Sequence, residues 1–99
     1  MTTGYILVNT QIGFEEEVLN ELLNVKGVIE GYLVDGEYDI ICKINNPISS
    51  AMEDSLQKIR NLNHIFSTTT LIIVPVAPSS SKIKNLTIKV KNRILFREF

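Results

Sequence analysis

The chain has 99 residues, 44% hydrophobic and 21% charged, which suits one small domain with a single core. Ten basic and eleven acidic side chains give a formal charge of -1, excluding a uniformly basic nucleic-acid binder. The single cysteine, Cys42, excludes an intrachain disulfide or cysteine metal cage, and neither a signal-peptide pattern nor an apolar run near the ~18 residues of a membrane helix is present, so a soluble cytoplasmic protein is expected.

Tyr5-Ile6-Leu7-Val8-Asn9 is a β-rich run closed by Gly13 and predicts a first strand. From Phe14 to Asn24, Phe14, Val18, Leu19, Leu22 and Leu23 fall at helical spacing. Glu15, Glu16 and Glu17 sit in that helix's first turn, where carboxylates meet the positive end of the dipole. Gly27 is available for a left-handed stop. Val28 to Val34 predicts a strand, Asp35-Gly36 a tight hairpin turn, and Tyr38 to Ile44 the returning strand. Asn46 and Pro47 suit the N-cap and first position of a second helix, with Ile48, Met52, Leu56 and Ile59 as its buried stripe. Phe66 to Val74 is the last strand of this set.

Residues 1–74 carry four basic and ten acidic groups, whereas residues 75–99 carry six basic groups against Glu98 alone. The Pro/Ser segment 75–81 lies between them and reads as a linker. The chain therefore divides into an acidic module (1–74), a linker (75–81) and a basic tail (82–99). In the tail, Leu86, Ile88 and Val90 alternate with polar residues as on a strand, yet Ile83, Leu86, Val90 and Ile94 also fit a helical stripe. Such a tail can contact nucleic acid or an anionic surface, or dock on the acidic module of its own chain or a neighbour.

The order β-α-β-β-α-β predicts an α+β, ferredoxin-like sandwich: an antiparallel sheet with both helices on one face. The other face is left without a helix, which predicts pairing of sheets between subunits.

Asn24-Val25-Lys26-Gly27-Val28 followed by residues 31–40, Gly-Tyr-Leu-Val-Asp-Gly-Glu-Tyr-Asp-Ile, resembles the ligand-binding module of the Lrp/AsnC family of feast/famine regulators. Tyr5 to Thr10 with Gly13 to Val18 is similar to that module's first strand and helix start, and Lys58-Ile59-Arg60 with Ser67-Thr68-Thr69-Thr70-Leu71 to its second helix and Thr-rich strand. The resemblance covers about residues 4–74 and implies a module that senses small molecules, commonly amino acids, and assembles dimers into tetramers or octamers. Family regulators carry a helix-turn-helix domain ahead of it. This chain starts just before the first strand and resembles a stand-alone module, which would reach transcription through full-length regulators of the family. Asn63-His64-Ile65 stands where the family often has Pro-Gly-Val, and the basic tail is outside the family pattern.

The resemblance implies an effector site near these elements, in a cleft between subunits. A free amino acid presents an ammonium, which Asp39 could pair, and a carboxylate, which threonine hydroxyls or backbone N–H groups could hold. Gly36 would let a ligand approach the backbone, and Tyr38 would supply an apolar wall with a polar tip. The ligand residues expected are Gly36, Tyr38, Asp39, Thr68 and Thr70, the last two sharing one face at period two.

Plainer roles compete. Asp35-Gly36 is ordinary turn chemistry, Asp39 could pair with Lys43 or Arg60, a threonine run has high β-propensity, and Tyr32 and Tyr38 could simply pack. Cys42, among isoleucines, reads as a core residue, and His64 has no second metal ligand nearby in sequence. A dimeric ferredoxin-like enzyme would need His64 or Asp39 as its base, and there is no phosphate-cradling glycine loop. Neither catalysis nor a cofactor is expected, and a ligand-free oligomerisation protein is the alternative.

Overall fold

The computed structural model describes residues 2–74 and 87–94. It contains β1 (Thr2–Thr10), α1 (Glu15–Leu23), β2 (Val28–Leu33), β3 (Ile40–Asn46), α2 (Ser49–Arg60), β4 (Ile65–Val74) and β5 (Thr87–Ile94). All five strands form one antiparallel sheet in the order β2-β3-β1-β4-β5. The first four strands and two helices make the expected ferredoxin-like α+β fold.

Strand alternation sets the core. In β1, Gly4, Ile6, Val8 and Thr10 are buried while the residues between are half-buried. The register places Ile6 opposite Cys42 and Thr70, and Val8 opposite Ile40 and Thr68. Directly opposed residues share a face, so this is the side that receives Val18 and Leu22 of α1 and Met52, Leu56 and Ile59 of α2. Tyr5, Leu7, Ile41, Lys43 and Leu71 lie on the opposite, helix-free face, where the Lys43 ammonium sits 5.9 Å from the Tyr5 ring centroid.

Two boundaries differ from the sequence expectation. Asn46 does not cap α2. It ends β3, 2% exposed, and its amide is aimed inward at Met52 Sδ (3.6 Å) and Ser55 Oγ (3.5 Å). Pro47 keeps the residue before it extended, and Ile48 is still extended (φ -141°, ψ 163°), so the helix starts at Ser49. Ile48 thus leaves the buried stripe at 59% exposure, and Ser55 joins it, donating to the Lys26 carbonyl at 2.7 Å.

The second difference is the turn. Residues 34–39 form one wide loop instead of a two-residue hairpin, closed by the Val34 N–H on the Asp39 carbonyl at 2.9 Å. Gly36 has φ 143° in this loop. Tyr38 and Asp39 are outside β3 because the Asp39 N–H donates to the Val8 carbonyl of β1 at 2.9 Å. The tail, ambiguous in period, contributes strand β5 along β4. The segment 75–81 expected to be a linker, and residues 82–86 and 95–99, lie outside the described residues.

Cys42 is 1% exposed, and burial pushes its thiol up from 9.0 to about 11. The neutral thiol is the form that packs, so its contribution is complete below pH 9 and is lost as pH rises through about 11. Folded protein should accordingly resist thiol alkylation at pH 8, with full reactivity appearing in denaturant. Prompt labelling of the native state would contradict the burial.

Candidate functional site

Alternating strand directions bring the ends of β1 and β2 and the starts of β3 and β4 to one end of the sheet, together with the loops that follow or precede them. Here Asp39 is half-buried, and its Oδ2 accepts the Thr10 backbone N–H at 2.9 Å. Among the described residues, no ion pair joins Asp39 to Lys43 or Arg60. Its carboxylate therefore fixes the end of β1 with one oxygen and has further acceptor capacity on the other.

Thr10 also lines a groove of about 430 Å³ with Gln11, Ile12 and Phe66. Ile12 is 93% and Phe66 60% exposed, so the groove offers apolar walls to solvent. Its volume falls within the range of small-molecule sites. Thr10 is common to both features: its N–H holds the Asp39 carboxylate, and it lines the groove, whose walls do not include Asp39.

The far wall is held by His64. The Gln11 N–H donates to the His64 carbonyl at 2.9 Å, and Gln11 Oε1 lies 2.9 Å from His64 Nδ1. The imidazole stacks on Phe14 with centroids 3.6 Å apart and planes 9° from parallel, and Nε2 is 3.9 Å from a Glu17 carboxylate oxygen. His64 adopts φ 67°, a left-handed conformation that glycine takes more cheaply. This accounts for the Asn63-His64-Ile65 departure: the histidine occupies a glycine-type position, and stacking and hydrogen bonding offset the strain. His64→Ala keeps the strain and loses the stack, so a loss of about 1–2 kcal/mol is expected in urea denaturation. His64→Gly relieves the strain and should lie within about 1 kcal/mol of the parent. Equal losses in both variants would show that the ring, not the backbone, sets the balance.

The sequence-predicted residues divide into two groups. Gly36, Tyr38 and Asp39 stand together in the 34–39 loop at this end. Thr68 and Thr70 share a face, as period two requires, but it is the helix-covered one: they are 2% and 1% exposed, opposite Val8 and Ile6. As packed in this chain, their hydroxyls belong to the interior. Ser67 and Thr69 take the opposite face, where the Asn9 amide donates to Ser67 Oγ at 3.3 Å. Sequence reading missed Gln11, Ile12 and Phe66. The one available signal was an isoleucine alone in the polar connection between β1 and α1. No group of three or more His, Cys, Asp or Glu able to hold a metal occurs among the described residues. No helix among them is long and apolar enough to cross a membrane.

A ferredoxin-like sandwich with a carboxylate and an apolar groove at its loop end is the build of a small ligand-binding module. The profile of the Lrp/AsnC ligand-binding domain matches residues 3–83, and the chain belongs to that family. It is 24% identical over 80 residues to the HTH-type transcriptional regulator FL11 of Pyrococcus furiosus, across 81% of this chain and 53% of that protein. The chain thus spans about half the length of that curated relative. Among solved structures it is similar to hypothetical protein PHS023 of Pyrococcus horikoshii, with 35% identity, a TM-score of 0.71, and coverage of 80% of this chain and 96% of the other. It shares its fold with the feast or famine regulatory protein Rv3291c of M. tuberculosis, solved with L-methionine, at 21% identity and TM-score 0.59 over 77% of this chain and 52% of that one.

Proposed function

We propose that this module binds a free amino acid at the Asp39 end of the sheet, and that occupancy favours one assembly state over another. The observation that carries the reading is the Asp39–Thr10 hydrogen bond, which ties a carboxylate to a residue that lines an apolar groove. The ammonium of the ligand pairs with Oδ1 of Asp39, the oxygen that does not accept the Thr10 N–H. Gly36 admits close approach, Tyr38 walls the loop side, and an apolar side chain lies against Ile12 and Phe66. A relative of the same fold was solved with L-methionine, a ligand of that shape and polarity. Thr68 and Thr70 support the floor of the site from the interior.

Assembly uses the helix-free face, where Tyr5, Leu7, Ile41 and Leu71 offer apolar surface to the same face of a second copy. A ligand that contacts two subunits shifts that equilibrium by its differential affinity for the two states. The module acts on transcription in the cytoplasm by association with itself or with full-length family regulators, and performs no catalysis.

Calorimetric titration of L-methionine and the branched-chain amino acids tests this. Asp39→Asn keeps an acceptor for the Thr10 N–H and removes the charge, so it should fold normally and bind the ligand about 10- to 100-fold more weakly. Phe66→Ala should weaken an apolar ligand by about tenfold without affecting stability. Unchanged affinity in both variants would remove the site, and no heat with any of these ligands would leave ligand-free assembly as the function.

A further inference from the structure

The groove at the loop end has no cover among the described residues: Ile12 and Phe66, both large and apolar, stand exposed on its walls. The rest of the chain adjoins this groove at one point only. β1 begins at Thr2, and β4 ends at Val74 opposite Thr87, the first residue of β5, so residue 1 and residues 75–86 adjoin the far end of the sheet. β5 then runs antiparallel to β4, back toward the groove. Its last pair sets Ile94 opposite Thr68, two positions short of Phe66. Residues 95–99 follow from that point, and Leu95, Phe96 and Phe99 among them are large and apolar.

We propose that residues 95–99 cover this groove, with Phe96 seated against Phe66 and Ile12, so that an incoming ligand must displace the chain's own tail. The reach suffices. At about 3.3 Å per residue, the level of Phe66 lies roughly 7 Å beyond that of Ile94, and β4 is about 4.8 Å across from β5. Thr10 of β1 is one strand spacing further, roughly 12 Å from Ile94 in all. Five extended residues span about 17 Å, enough to cross the groove. Carrying the β4–β5 register on by two residues brings Phe96 level with Phe66, one strand spacing away, where two aromatic rings pack. The tether to β5 gives Phe96 an effective concentration on the order of millimolar, so a free ligand meets an occupied groove. The competition with ligand rests on the ligand-binding reading; the docking of the tail does not.

Fluorescence tests the docking without any ligand, because the chain contains no tryptophan. In full-length F96W the single indole should emit to the blue of the same chain in denaturant and be shielded from acrylamide, at every protein concentration. F96W/I12D puts a carboxylate into the groove at an exposed position, so its circular dichroism should match F96W while the emission moves to the red and the shielding is lost. An indole as open as in the denatured chain, or shielding that survives Ile12→Asp, overturns the docking. Shielding that falls on dilution places a neighbouring copy's tail in the groove and overturns it too. Calorimetry with L-methionine and the branched-chain amino acids then tests the competition. F96A should bind about tenfold more tightly than the parent, as for a groove open about one-tenth of the time. Equal affinity in the two chains overturns the competition. Absence of heat from both removes the ligand-binding reading and the competition with it, while the fluorescence still decides the docking.

Discussion

Gly27→Ala is expected to lower the unfolding free energy by about 3 kcal/mol, from two independent costs. Gly27 has φ 99°, where an L-residue pays about 1–2 kcal/mol. A methyl there would also stand 2.9 Å from both terminal atoms of the Asn46 side chain and 3.2 Å from the Asn45 carbonyl. Asn46 has nowhere to retreat, because it is buried and its amide serves Ser55 and Met52. Ser55 in turn holds the Lys26 carbonyl, so one methyl disturbs the latch joining the α1–β2 turn, β3 and α2. Displacing a buried amide from its partners costs about 1–3 kcal/mol. In an Asn46→Ala background the clash with the Asn46 side chain is absent and only the Asn45 carbonyl contact remains, so Gly27→Ala should cost little beyond the backbone share of about 1–2 kcal/mol. Additive losses, measured by urea denaturation of all four chains, would show that the two residues do not interact.

Ile6→Ala should cost about 3–4 kcal/mol. Ile6 is 0% exposed at the centre of β1, the middle strand, opposite Cys42 and Thr70 and beneath both helices. Truncation removes three carbons from a packed interior, and the rigid strands on either side limit collapse into the space. Domains of this size hold about 5–15 kcal/mol in all, so the variant should melt far below the parent. Ile12→Ala is the control: at 93% exposure it should change stability by less than about 0.5 kcal/mol. It should nevertheless weaken ligand binding, separating the stability and binding roles of two isoleucines on neighbouring stretches of chain.

The order of elements was legible because each carried its own period, from the alternation through Ile6 and Val8 to the helical spacing of Val18 and Leu22. Boundaries failed where side chains act across space. Asn46 looks like a cap locally, and only the approach of Ser55 and Met52 turns it inward. Asp35-Gly36 looks like a hairpin, but the loop is widened by Asp39 bonding to β1. The threonine run has no apolar alternation to say which face is covered, and Ser67 through Thr70 are all buried. Period two therefore grouped Thr68 with Thr70 but could not orient the pair. The groove is assembled from β1, its following connection and β4, and no contiguous stretch of sequence records it.

The most direct test of the ligand-binding account is a thermal-melt panel of the parent against the twenty free amino acids, repeated with Asp39→Asn. Ligand at 100 times Kd should add about 2.7 kcal/mol, a midpoint rise of several degrees, for one or a few amino acids with apolar side chains. That rise should vanish in Asp39→Asn, whose unliganded midpoint stays close to the parent's. A flat panel, or a shift that survives the loss of the Asp39 charge, would contradict an amino-acid site at this end of the sheet.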